Sequence, residues 1–217
     1  MKKFFLVAAA ACFIGSAANA QDVYKQTGGE KNVEVLFAPF GGSPIGINGI
    51  KFRSFTDATT AIRAEVFLGF GSTSEETSME GTAGTSTTST FDIEVNPGIE
   101  FHLPGTDRLS PYYGGVLQLG FNREASGFEA DDVDSETSTT NGAFRVGAIG
   151  VGGFDYYFAH NIYLGAEIGF GLGFTTNFDT VSEVTANGET TTTETPNGSS
   201  FDIGPLAVGR LRLGILF

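Results

Sequence analysis

Two histidines are the only side chains of this chain that titrate near neutral pH and could act as a general base. They are His102 and His160, and the single cysteine is Cys12. Nucleophilic catalysis needs a hydroxyl or thiol beside such a base, and zinc-type sites need several nitrogen or sulfur ligands. Each histidine adjoins a short link between segments of alternating hydrophobicity. We predict no catalytic, cofactor-binding or metal-ligating residues, no cofactor and no enzyme activity.

An acidic run at 131–136 is the one segment with enough oxygen ligands to suggest a divalent cation site. It reads Asp131-Asp132-Val133-Asp134-Ser135-Glu136. The run lacks the spacing and the turn glycine of a known calcium loop. A solvated acidic loop is therefore the favoured interpretation.

Charged residues recur on one parity of the alternating segments. In the last segment Leu211, Leu213 and Ile215 share one parity, and Arg210 and Arg212 share the other. A period of two puts these sets on opposite faces of a strand. Near-balanced charge on an enclosed face predicts an ion-pair plug, because unpaired buried charge is costly; a narrow polar channel or gate built from the same pairs is the alternative. The residues on the charged parity are Lys51, Arg53, Arg63, Arg145, Arg210 and Arg212, with Glu34, Glu65, Asp92, Glu94, Glu100, Asp155 and Glu167.

Glycines also occur on the charged parity, in a row formed by Gly165, Gly169, Gly171 and Gly173. Their missing side chains would either leave a cavity for a small apolar ligand or make room for large side chains of the opposite wall. The second interpretation is favoured. Gly214 has the same parity, and we expect it to accept serine because a hydroxyl suits a polar interior.

Eight segments carry the alternation, and each is close to or above the roughly 9–11 residues that a tilted membrane strand needs. The predicted strands are 32–40, 46–55, 59–71, 89–102, 109–122, 142–158, 161–175 and 200–217. Inside a bilayer every backbone polar group must be paired, which a closed barrel achieves and an open sheet does not. The pattern predicts an all-β fold, an eight-stranded antiparallel up-and-down transmembrane β-barrel.

The links between these strands alternate in length. Short links lie at 56–58, 104–108 and 159–160, and long links at 72–88, 123–141 and 176–199. Outer-membrane barrels have short periplasmic turns and long external loops. Both termini and both histidines are therefore expected in the periplasm, far from the outer leaflet. The first external link, 41–44, is short and departs from the pattern.

The three long links are rich in Thr and hold thirteen acidic residues, with Arg123 as the only base. Such segments cannot bury enough apolar surface to order alone. We expect surface loops, with a β-hairpin extension above the membrane as the alternative that the Thr runs allow.

Residues 1–20 have the features of a secretory signal: Lys2 and Lys3, an apolar stretch, and Ala18-Asn19-Ala20 as the cleavage site. The stretch is shorter than the roughly 20 residues of a spanning helix. Cys12 would suit a lipoprotein signal, but the residues before it lack the usual Leu. We predict a signal peptide at 1–20, a periplasmic lead-in at 21–31 and a barrel domain at 32–217.

Aromatic residues on the apolar parity mark both ends of the predicted strands. Aromatic girdles of this kind flank the apolar band of outer-membrane barrels, whereas a soluble sandwich would hide its apolar face. The predicted external girdle is Phe70, Phe91, Phe121, Phe144, Phe174 and Phe201, and the opposite one is Phe101, Tyr113, Phe158 and Phe217.

The terminal segment 211–217, the segment Ser110-Pro111-Tyr112-Tyr113-Gly114-Gly115, and the stretch 153–167 are similar to segments of known barrels. Over the whole mature chain, the sequence resembles the small eight-stranded outer-membrane barrels of the OmpA, OmpX and OmpW type. The resemblance implies a location in the bacterial outer membrane. It also implies that the final strand is read by the barrel-assembly machinery.

The leading function hypothesis is a structural outer-membrane barrel that serves envelope integrity, adhesion or surface interaction. The alternative is a narrow channel or a transporter of small apolar molecules. Expected partners are outer-membrane lipid, the barrel-assembly machinery and an extracellular ligand or host surface, with the protein a monomer. An acidic chain with 25 Asp and Glu against 12 Lys and Arg, net charge −13, argues against nucleic acid as a partner.

Overall fold

The computed structural model describes residues 24–37, 47–79, 82–131 and 135–217. The predicted signal peptide and the link at 41–44 lie outside these ranges. Within them, no helix is long and apolar enough to cross a membrane. The strands are β1 (Lys31–Phe37), β2 (Ile47–Asp57), β3 (Thr60–Met79), β4 (Thr82–His102), β5 (Leu109–Ala130), β6 (Ser135–Ala159), β7 (Ile162–Asn177), β8 (Thr180–Ala186), β9 (Glu189–Thr195) and β10 (Ser199–Leu216).

Eight of these strands form a closed antiparallel ring. Neighbours follow chain order from β1 to β7, β10 pairs with β7, and β1 pairs with β10. The seam between the first and last strands is fixed by partners such as Val35 and Leu213. The predicted all-β, eight-stranded antiparallel barrel is confirmed, with β1–β7 and β10 as its wall.

The prediction of unstructured long loops is wrong in the described residues. The β3–β4 ladder runs from Thr60 opposite Phe101 to Met79 opposite Thr82 without a register shift. β5 and β6 pair as far as Glu129 opposite Glu136, and the third link contains the β8–β9 hairpin, whose β8 pairs with β6. Thr is favoured in strands. Because the membrane-spanning strand pairs have already fixed the register, each additional residue pair above them costs little further conformational entropy.

These extensions form a sheet that we call the palisade: residues 71–79, 82–90, 122–130 and 135–143, with β8 and β9. Hydroxyl pairs connect its strands, for example Ser74 and Thr87 at 2.9 Å. The β8–β9 turn has Asn187 at φ 52° and Gly188 at φ 80°, the left-handed pair of a tight hairpin turn. The alternative that the Thr runs allowed, a hairpin extension, is the observed structure.

The two faces of the wall are as the alternation predicted. On β7, Ile168 is 69% exposed and points outward, whereas Glu167 beside it is buried. On β10, Leu213 points outward and Arg212 is buried. Large apolar side chains on the outside and buried charges on the inside are the reverse of a soluble domain and suit a lipid environment.

The aromatic girdles lie at two levels of the wall. At the upper level Phe70 pairs with Phe91 across β3 and β4, and at the lower level the rings of Phe101 and Tyr113 lie 5.6 Å apart. On β4, ten residue steps separate Phe91 from Phe101. At about 3.3 Å per residue and a tilt of roughly 40°, they span about 25 Å, the height of an outer-membrane apolar band. The upper girdle therefore marks a membrane level rather than the ends of the strands.

Candidate functional site

The barrel interior is organised around Arg53, which projects inward from β2 and is fully buried. Its guanidinium lies 2.8 Å from both Glu100 Oε2 and Asp155 Oδ2, and its Nε lies 2.7 Å from Glu34 Oε1. Arg212 on β10 binds two of the same carboxylates, at 2.9 Å from Glu34 and 2.7 Å from Asp155. Strands on opposite sides of the barrel are thus joined through its centre.

A second group of charges continues this network. Lys51 Nζ lies 2.7 Å from Glu100 Oε1 and 3.2 Å from Glu167 Oε2. Arg63 lies 2.9 Å from Glu100 Oε1 and 2.7 Å from Glu167 Oε2, and it also binds Glu65. Arg210 pairs with the other oxygen of Glu65. Together these residues form what we call the plug: Glu34, Lys51, Arg53, Arg63, Glu65, Glu100, Asp155, Glu167, Arg210 and Arg212.

The plug holds five bases and five acids, so its formal charge is zero. Nearly all of it is buried, and only Arg210 has a side chain as much as 20% exposed. Charges removed from water are tolerated only when well paired, and removal of one partner leaves a costly unpaired charge. An eight-stranded barrel is only wide enough to be filled by its own side chains. The predicted ion-pair plug is confirmed for these ten residues.

Tyrosines complete the plug. The Tyr112 hydroxyl donates to Glu167 Oε2 at 2.6 Å, and the ring of Tyr112 lies under the Arg212 guanidinium at 5.0 Å. Arg53 donates to the Tyr163 hydroxyl at 2.5 Å. Both tyrosines have the inward parity, but nothing in their spacing indicated that they bind plug residues.

Gly165 and Gly214 make room for large side chains, but these come from cross-strand partners on the adjacent strands and not, as the favoured interpretation predicted, from the opposite wall. A Cβ on Gly165 would lie 2.6 Å from a nitrogen of Arg212 and 2.7 Å from Asp155 Oδ1. A Cβ on Gly214 would overlap the ring of Tyr163. The expectation that Gly214 accepts serine is therefore wrong, because its empty face is already occupied.

The short-turn end of the barrel is covered by residues 24–30, part of the predicted lead-in. Gln26 is 7% exposed and donates to the Ser110 hydroxyl at 2.8 Å, while Tyr157 donates to its side-chain oxygen at 3.1 Å. The Arg108 guanidinium lies 4.1 Å from the ring centre of Tyr24. The sequence of this polar segment contained no signal that it docks.

A local hydrogen-bond cluster shapes this covering segment. The backbone amides of Thr27 and Gly28 donate to the two Glu30 carboxylate oxygens at 2.8 and 2.6 Å. Partial burial disfavours the charged form of Glu30, but these hydrogen bonds and that of the Thr27 hydroxyl outweigh it. The pKa of Glu30 therefore lies below its ordinary value.

Both histidines lie at the short-turn end, as expected. His102 Nδ1 lies 2.8 Å from the Ser110 hydroxyl, and its Nε2 lies 3.5 Å from Glu100 Oε2. This order of acid, histidine and serine was not foreseen. Ser110 is 1% exposed and also accepts the Gln26 hydrogen bond, so its hydroxyl is covered by the lead-in. His160 packs edge-on against Tyr24.

Three of the predicted interior charges lie above the plug and outside its ion pairs. Arg145 donates from Nε to the Thr175 hydroxyl at 3.2 Å. Glu94 accepts from Asn96 at 2.6 Å and from Gln118 at 3.1 Å. Asp92, Glu94 and Arg145 line one cavity of about 240 Å³.

The acidic run at 131–136 is only partly described, because Asp132 to Asp134 lie outside the described residues. Within the described residues, no group of three or more acidic, His or Cys side chains could hold a metal ion.

A closed ring of eight antiparallel strands, apolar outside, girdled by aromatics and filled with paired charges, defines an outer-membrane β-barrel protein. The model of the putative OmpA-OmpF-like porin family matches residues 59–195. This is more than half of the chain, which therefore belongs to that family and lies in the bacterial outer membrane. No curated protein matches the sequence.

Several solved structures are similar to the chain. The attachment invasion locus protein Ail of Yersinia pestis is 12% identical with a TM-score of 0.37, over 88% of this chain and 100% of Ail. A major outer-membrane protein of Thermus thermophilus is 12% identical with a TM-score of 0.37, over 87% of this chain and 99% of that protein. CarO of Acinetobacter baumannii is 10% identical with a TM-score of 0.36, over 88% and 98% of the two chains.

Proposed function

We propose that this protein is a non-conducting structural barrel whose palisade interacts with the exterior. The observation that carries the proposal is the buried plug, in which five bases and five acids tie β1, β2, β3, β4, β6, β7 and β10 together. Moving an ion through this layer would require breaking ion pairs far from bulk water. Residues 24–30 cover the plug on the side of the short turns.

The non-enzymatic part of the proposal rests on the surroundings of Ser110. A serine nucleophile must reach a substrate carbonyl, but Ser110 is buried under Gln26. Its histidine is aligned with Glu100, which is already bound by Arg53, Lys51 and Arg63. We propose that Ser110, His102 and Glu100 help to close the short-turn end of the barrel.

The palisade supports the surface part of the proposal. All seven residues of β9 are exposed, and within the described residues β9 pairs only with β8. An open edge of this kind presents unpaired backbone groups to other chains. Glu189 and Glu194 add negative charge at this edge, which favours a partner with basic residues over a second copy. We propose a monomer that contacts outer-membrane lipid, an external ligand or host surface, and the barrel-assembly machinery through β10.

Deletion of residues 180–195 tests the division between barrel and palisade. Thr180 and Thr195 are direct cross-strand partners, so the cut ends already lie side by side. In a strain lacking the chromosomal copy, the deletion variant should restore detergent resistance as well as the full chain does, and it should lose attachment to surfaces. Glu189→Gln with Glu194→Gln is the matched control, which keeps the hairpin and removes the two charges of β9. Loss of detergent resistance, or unchanged attachment, would contradict the proposal.

A further inference from the structure

A bowl above the plug is open toward the palisade and has a volume of about 240 Å³. Five strands, β3 to β7, contribute to its wall. This volume is below the roughly 300–1,000 Å³ of sites for drug-sized ligands, so it suits a molecule with only a few carbon atoms. Its inward side chains are Phe67, Asp92, Glu94, Asn122, Arg145, Thr175 and Asn177.

The bowl has an excess of negative charge, whereas the plug is neutral. Within the described residues, no basic side chain lies within 4.0 Å of Asp92 or Glu94. Arg145 is held by the Thr175 hydroxyl instead. A neighbouring cavity, which shares Arg145 with the bowl, adds a third carboxylate, Asp202. Acidic groups of the palisade lie on the approach and would raise the local concentration of cations.

Glu94 is built into the floor of the bowl. Asn96 and Gln118, which are 4% and 5% exposed, each donate a side-chain N–H to a different oxygen of Glu94. A carboxylate only accepts, so the amide nitrogens must face it and the amide oxygens must face away. Both amide oxygens are buried with no hydrogen-bond partner among the described residues. Gln118 lines the neighbouring cavity with Asp202 and Arg145, so its unpartnered acceptor borders that cavity, which adjoins the bowl at Arg145.

From these features we infer that the bowl is a binding site for a small organic ammonium ion. An ammonium carries three donors and no acceptor, which suits a space that contains the carboxylates of Asp92 and Glu94 and adjoins the cavity lined by the unpartnered Gln118 oxygen. Phe67 adds an aromatic surface that attracts a cation and receives a short carbon chain. Glu94 is fixed by its two amide donors, so little side-chain entropy is lost when the ligand binds.

Three probes of equal chain length test the class of ligand: n-butylammonium, butyrate and 1-butanol, each titrated into the isotopically labelled full mature chain in micelles. Butylammonium should produce saturable shifts in the backbone amide signals of Gly120, Asn122 and Arg145. Butyrate and butanol should leave these signals in place. Equal shifts with butyrate or butanol, no saturable shift, or a response to calcium chloride alone would overturn the proposal.

Two variants test the residues. Glu94→Gln keeps the shape of the side chain, and it should weaken butylammonium binding about tenfold or more, because a charge-assisted hydrogen bond is lost. Asp107→Asn removes one charge from an exposed turn at the other end of the barrel and should change the affinity less than about twofold, because charges beyond a Debye length are screened. Equal affinities of wild type and Glu94→Gln would overturn the proposal. If Glu94→Gln does not fold, Asp92→Asn takes its place, and selectivity of the wild type for butylammonium over butyrate decides the question independently.

Discussion

The ring of Tyr163 occupies the space where a side chain at position 214 would lie, so glycine is the only residue type that fits at this position. The Tyr163 hydroxyl in turn binds Asn32 and Arg53. Gly214→Ser should therefore push the tyrosine away from the plug and lower the free energy of unfolding by about 1–3 kcal/mol. Denaturant-dependent folding into lipid vesicles measures this change.

Gly120→Ser is the matched control for that substitution. Gly120 also faces the interior, but the nearest atom to its added Cβ would be Arg145 Cβ at 3.6 Å, which is ordinary contact. Its effect should stay within about 0.5 kcal/mol. Equal losses for the two variants would show that Tyr163 does not depend on Gly214.

Charge on the outer face should cost most at the middle of the apolar band. Ile168 lies midway between the upper-girdle Phe174 and the lower end of β7, whereas Leu213 lies four residues from the terminal Phe217. Ile168→Arg should cost roughly 2–4 kcal/mol, and Leu213→Arg less, because the penalty falls toward the interfaces. The same vesicle-folding measurement applies, and a larger loss for Leu213→Arg would contradict the assigned depths.

The alternation of residue types was enough to predict which residues face the interior, because successive side chains of a strand must point to opposite faces. It could not predict that Arg53 meets Asp155, since the two lie 102 residues apart and their meeting depends on barrel stagger. Asn96 and Gln118, which donate to Glu94, had the correct parity but no distinguishing spacing. The palisade was predicted only as the alternative, because low-complexity Thr runs suggest disorder in isolation. The membrane ladder that orders these runs acts only in the folded barrel.

Assembly should depend on Phe217. Its backbone exchanges two hydrogen bonds of 2.8 Å with Lys31, which close the barrel seam, and its side chain belongs to the lower girdle. Phe217→Ala keeps the backbone but removes the aromatic side chain through which we propose that the barrel-assembly machinery recognises the last strand, so less barrel should reach the outer membrane at normal expression. Quantitative blotting of membrane fractions measures this amount. Wild-type levels of the variant would rule out a role for this side chain.

Acid should loosen the covering segment 24–30. The pKa of Glu30 is lower in the folded protein than its ordinary value of 4.5. Its contribution is therefore complete above that ordinary value and is lost as the pH falls through the lower, folded value. The protection factors of the Thr27 and Gly28 amides, which correct the exchange rates for the intrinsic effect of pH, should fall in this acidic window. Glu30→Gln should show fast exchange at neutral pH already, and an unchanged rate in this variant would contradict the assignment.

The most direct test of the proposed sealed lumen is single-channel recording of the purified protein in a planar bilayer at neutral pH. The wild type should show no stable conductance steps, and Arg145→Ala, which removes a charge above the plug, should behave in the same way. Arg53→Ala leaves Glu34, Glu100 and Asp155 without their shared partner, at a cost of about 3–5 kcal/mol, and should produce steps as water enters. Stable steps from the wild type would contradict the account, because an intact plug leaves no path for ions.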